Sequence, residues 1–106
     1  MAFEVIWHPS ASINFEEVIG YVFHKFGKTA AKKLYEEVME RMETVSRFPN
    51  IGVKYEGITY HNNEVRVMNI RQNALVYAVD KYEITIIVFW SNRQNPKCLP
   101  KLVGSR

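Results

Sequence analysis

Apolar residues change their spacing once along this chain, separating a helical first half from a β-rich second half. Phe3, Val5 and Trp7 alternate with Glu4 and Ile6, the period of a strand. Pro9 then ends pairing, since it has no N–H to donate, and Ser10 or Ser12 can cap a following helix. Phe15, Val18, Ile19, Val22 and Phe26 recur at helical spacing, with Glu16 and Glu17 placed toward the positive end of that helix. Gly27 closes it. Thr29 can cap a second helix, in which Ala31, Leu34, Val38, Met42 and Val45 step by three or four residues. Glu37 with Arg41 and Glu43 with Arg47 are i,i+4 pairs on its outer side. This helix must stop before Phe48-Pro49-Asn50-Ile51-Gly52, because proline disfavours helical geometry in the residue preceding it. Two amphipathic helices with a short link predict an antiparallel helical hairpin, packing Phe15, Val22, Leu34, Val38 and Met42 inward.

In the second half, Glu64 to Ile70, Ala74 to Val79 and Ile84 to Trp90 are short β-rich runs. The brief breaks at Arg71-Gln72-Asn73 and Asp80-Lys81-Tyr82-Glu83 predict an antiparallel meander. A weaker strand around Val53 to Tyr55 precedes them. The expected fold class is α+β: an N-terminal strand, then a helical hairpin on one face of an antiparallel sheet of about four strands. Residues 1–95 read as the folded domain, and 96–106, with two prolines and no clear period, as a loose basic tail.

Composition narrows the class. A chain of 106 residues, 47% hydrophobic and 24% charged, suits one globular core rather than disorder. No apolar run approaches the roughly 20 residues of a bilayer span, and the first residues lack the pattern of a signal peptide. The single cysteine, Cys98, cannot form an internal disulfide, so a reducing cytoplasm is the expected compartment. Charge is unevenly spread: after Glu83 no acid remains, while Arg93, Lys97, Lys101 and Arg106 make the end basic. Such a segment attracts phosphate or an acidic protein tail.

Motifs for nucleotide binding and for serine hydrolases are missing. The three histidines, His8, His24 and His61, lack ligand spacing, so no metal and no cofactor is expected. Cys98 has no identifiable base. The informative set is Lys54, Arg66, Arg71, Arg93 and Lys97, which a meander can bring to one face or end. Clustered guanidinium groups fork onto phosphate oxygens and stay charged. They would stabilise a phosphoryl transition state in RNA cleavage, or simply grip nucleic acid or an acidic peptide. Tyr77 and Trp90 sit in apolar strands and read as core, whereas Tyr82 lies in a turn.

These residues also carry a resemblance. Val45 to Gly52 resembles the L-x-x-x-P-x-x-G connector of toxins of the RelE/ParE superfamily, the plasmid stabilisation family of type II toxin–antitoxin systems. Val5 to Ala11, Phe26 to Ala31, Leu75 to Asp80, and Ile84 to Trp90 followed by Asn92 to Pro96 resemble, in order, their first strand, helix link, middle strand, and last strand with its arginine. The resemblance implies an acidic, partly disordered antitoxin as partner. It implies one of two targets. RelE-like members are ribosome-dependent mRNA endoribonucleases with basic residues on the sheet and a late Tyr or His. ParE-like members inhibit DNA gyrase and lack that set. Here Arg93 and Arg66 match basic positions, but Ala74 stands where the nucleases place an arginine, and Ser91, Asn92 and Leu99 occupy the late Tyr/His region. With no proton carrier evident, no catalytic residue is assigned and the ParE-like branch is expected. The alternatives are the nuclease and an inactive relative that only binds its antitoxin as a co-repressor.

Overall fold

The computed structural model describes residues 2–91 and 99–106, Leu99 by its backbone alone. A strand β1 (Glu4–Trp7) leads into the helices α1 (Pro9–Phe26) and α2 (Lys28–Arg47), joined by Gly27 alone. A short 3-10 turn (Pro49–Ile51) follows, then the strands β2 (Val53–Tyr60), β3 (Asn63–Ile70), β4 (Asn73–Val79) and β5 (Glu83–Ser91), and a helix α3 (Leu99–Ser105). The α+β class and the helical hairpin are as expected. The sheet has five strands in the order β1-β5-β4-β3-β2, antiparallel except that β1 runs parallel to β5.

Two strands depart from the expected pattern, each because of a bulge. β2 is a full strand rather than a fragment, but its register against β3 shifts between Lys54 and Thr59. Gly57, at φ +80°, takes up the kink. Tyr55, Ile58 and Tyr60 therefore pack on one core although their spacing is not strictly alternate. In β5 the register shifts opposite Val76 and Tyr77. Ile84, Ile86 and Phe89 join the core under α1 and α2, while Ile87, Val88 and Trp90 join a second cluster on the opposite face. One extra residue exchanges the two faces of the strand beyond it.

Both faces are thus covered, as the nearly unbroken apolar run of β5 requires. Leu34, Val38, Met42 and Val45 of α2 and Ala11 and Phe15 of α1 are buried against Leu75, Tyr77, Ile84 and Ile86. On the far side Val103 of α3 joins the cluster that holds Val76 and Val88. The end of the chain, expected as a loose tail, is therefore helical from Leu99. Arg106 donates to the Ile87 carbonyl at 2.7 Å and to Asn14 Oδ1 at 3.0 Å, and its own carbonyl accepts from Tyr60 Oη at 3.3 Å.

Local details also differ. His8 rather than a serine caps α1, its Nδ1 accepting the Ser10 N–H at 3.1 Å. The helix begins early, at Pro9, which leaves Glu16 and Glu17 outside the first turn. No side chain caps α2, so Thr29 has no such role. Phe26 ends the α1 stripe but is 58% exposed. Glu43 and Arg47 pair at 2.9 Å as expected, whereas Glu37 bonds Arg71 across the molecule instead of Arg41.

Candidate functional site

The connector between α2 and the sheet is held from beneath by two strand residues. Tyr77, wholly buried at the middle of β4, donates its hydroxyl to the Pro49 carbonyl at 2.7 Å and accepts the Gly52 N–H at 2.9 Å. Arg66, directly opposite Tyr77 on β3, donates to the Gly52 carbonyl at 2.6 Å and the Asn50 carbonyl at 3.2 Å. Its other terminal nitrogen meets Glu64 at 3.0 Å. The spacing Pro49-Asn50-Ile51-Gly52 now has a physical cause. A Cβ on residue 52 would lie 2.5 Å from the Tyr77 hydroxyl, so only glycine lets the backbone approach.

Burial pushes the Tyr77 phenol above its usual value near 10, the Gly52 N–H offsetting part of the rise. The fold thus favours the neutral phenol. Its contribution to stability is complete below about pH 10, where the unfolded chain also keeps the proton, and is lost as pH climbs through the higher folded value. Tyr77→Phe should remove this share of alkaline destabilisation, at a cost of about 1–3 kcal/mol at neutral pH from the unsatisfied Gly52 N–H and Pro49 carbonyl. Denaturant midpoints between pH 8 and 11 check this. A variant whose decline parallels that of the native chain would show that Tyr77 titrates freely.

Of the basic residues singled out from sequence, the three that are described, Lys54, Arg66 and Arg71, do not form one cluster. Lys54 is exposed on β2 beside Arg66, its register partner. Arg71 lies five positions further along, about 16 Å of extended strand, in the β3–β4 turn at φ +57°. There it bonds Glu37 of α2 at 2.6 Å. Arg66 is mostly enclosed and committed to the connector, so of these three only Lys54 lacks an ion-pair partner among the described residues. Arg93, Lys97 and Cys98 lie outside the described residues. Ala74 is 5% exposed in the second cluster, beneath the reach of any ligand. His61 stands at the tip of the β2–β3 hairpin against the Tyr60 ring, at 4.3 Å between centroids, and His8 is engaged as a helix cap. Among the described residues no three acids, histidines or cysteines group as metal ligands, and no helix is long and apolar enough to cross a membrane.

Sequence reasoning missed the partners of these arginines. Arg66 and Gly52 are 14 residues apart and Arg71 and Glu37 are 34 apart, so no local pattern announces either bond. It also missed the outer surface of the connector, where Phe48, Ile51 and Val53 are 64%, 52% and 76% exposed. The signal was present as three large apolar residues, Phe48, Ile51 and Val53, close together where α2 ends and the next strand begins.

A helical hairpin lies against a mixed sheet, and a proline–glycine connector is pinned to β3 and β4. The sequence pattern describing the ParE toxin of the type II toxin–antitoxin system parDE matches residues 5–96, and the chain belongs to this family. It is a ParE-like toxin, one half of a toxin–antitoxin pair. Among solved structures, a chromosomal ParDE toxin–antitoxin system from P. aeruginosa is similar in fold, with a TM-score of 0.66 and 16% identity over 85% of this chain and 96% of that one. No curated protein sequence matches significantly.

Proposed function

We propose that this toxin arrests growth by binding DNA gyrase rather than by cutting mRNA, and that an acidic, partly disordered antitoxin neutralises it. The observation that carries the reading is the commitment of Arg66. Its terminal nitrogens hold the connector and Glu64, so the basic strand residue of the nuclease pattern is spent on the fold. Ribosome-dependent cleavage needs cations on the scissile phosphate and a proton carrier beside them. Here Ala74 is buried where a second arginine would stand, His8 is engaged as the cap of α1, and His61 lies against Tyr60 at the tip of the β2–β3 hairpin. A binding inhibitor needs shape and charge but no proton shuttle.

Expression of the chain alone should arrest growth while transcript ends stay intact, and purified protein should inhibit gyrase supercoiling. Arg93→Ala, outside the described residues, should weaken target binding by about 1–3 kcal/mol if its guanidinium makes a charge-assisted contact. Codon-positioned cuts on ribosome-bound transcripts with gyrase unaffected would restore the nuclease reading.

A further inference from the structure

The fold spends its most enclosed polar contacts on presenting an apolar surface. Phe48 ends α2, its N–H bonded to the Thr44 carbonyl at 2.8 Å, and Ile51 follows three residues later with its own N–H on the Phe48 carbonyl at 3.0 Å. Phe48, at φ −129° and ψ 75°, caps the 3-10 turn that Ile51 ends. Val53 opens the edge strand β2 immediately after. All three are more than half exposed. The backbone that carries them is immobilised from below by the Tyr77 hydroxyl and the Arg66 guanidinium. A flexible loop would fold its phenylalanine back onto the core. This one is prevented from doing so.

We propose that Phe48, Ile51 and Val53 form the anchor through which the toxin grips its target, a folded protein with an apolar pocket and an acidic group at the rim for Lys54. The inference rests on the reading of the chain as a toxin that works by binding. Three features select this occupant. RNA would need several free cations beside the patch, but there Arg66 is bound to the connector and to Glu64, and Arg47 to Glu43. An acidic disordered antitoxin is drawn by charge, and this surface offers one lysine. A rigid aromatic and aliphatic anchor loses little side-chain freedom on docking, which suits a pocket in a preformed surface.

The test uses the full chain. Phe48→Ser and Ile51→Ser change exposed side chains and leave the backbone bonds of the connector in place, so their thermal midpoints should match the native chain. Each should abolish growth arrest on expression and raise the concentration that half-inhibits gyrase supercoiling by on the order of thirtyfold, the loss of one hot-spot contact. Lys54→Glu should do so less strongly and with a dependence on salt. All three should still bind the co-expressed product of the adjacent antitoxin reading frame. Folded serine variants that retain full toxicity would overturn the inference, as would variants that stay toxic but lose the antitoxin. Loss of concentration-dependent self-association with loss of arrest would assign the patch to a second copy instead. If the native chain arrests growth without touching gyrase, the gyrase reading falls, and arrest by the serine variants then decides the patch independently. A native chain that arrests nothing overturns both.

Discussion

Gly52→Ala should destabilise this protein by about 2–5 kcal/mol, although the change adds a single methyl group. The new carbon would sit 2.5 Å from the Tyr77 hydroxyl, 2.9 Å from Cε1 and 3.0 Å from Cζ. A surface side chain would rotate away, but Tyr77 is completely buried and opposed by neighbours on both adjoining strands. Either the ring is displaced, which strains the core, or the connector lifts and strands the Gly52 N–H, the Pro49 carbonyl and two acceptors of Arg66. Urea titration measures the loss. The mechanism has a second signature: in a Tyr77→Phe background the nearest clashing atom is gone, so Gly52→Ala should cost measurably less there than in the native chain. Equal costs in both backgrounds, or a loss under about 0.5 kcal/mol, would mean that the connector yields freely and that its glycine is incidental.

Leu34→Ala is the second large expectation, at about 2–5 kcal/mol for emptying a buried leucine site. Leu34 is 4% exposed and belongs to the cluster that joins α1 and α2 to the sheet, together with Phe15, Phe89 and Val38. Two residues further along the same helix, Glu36 is exposed and pairs with Lys32 at 4.0 Å. Glu36→Ala should therefore stay within about 0.5 kcal/mol of the native chain. The contrast between two positions on one turn measures which face of α2 is inside. Similar losses at both would place the helix in a different rotation about its axis.

Loss of toxicity in an Arg66 variant would be ambiguous, because the residue is built into the connector. Lys54, Phe48 and Ile51 ask the functional question at positions where the fold has little at stake. The basic set read from the chain is thereby divided by role. Arg66 supports the surface beside it, Arg71 ties the β3–β4 turn to α2, and Lys54 alone of the described three is available to a partner.

The amino-acid sequence by itself determined the elements. The spacing of Leu34, Val38, Met42 and Val45 requires a helix with one buried stripe, and the apolar runs at residues 64–70, 74–79 and 84–90 require strands, because the period of burial is a property of neighbours along the chain. It placed the connector too, since Pro49 stops α2, but the Tyr77 hydroxyl that pins Gly52 comes from 25 residues away. Tertiary structure decided what each element stands beside. β1 joins β5 in parallel, which no hairpin length predicts, and β2 extends to Tyr60 past a kink at Gly57 that breaks the alternation. The short helix Leu99–Ser105 forms because Val103 finds an apolar sheet face to cover and Arg106 finds the Ile87 carbonyl at the bulge in β5. A side chain's period shows whether it is buried, but its partner is whatever the fold places opposite it. The arginines were visible as charges and became structural only when distant carbonyls and carboxylates arrived within 2.6 Å of them.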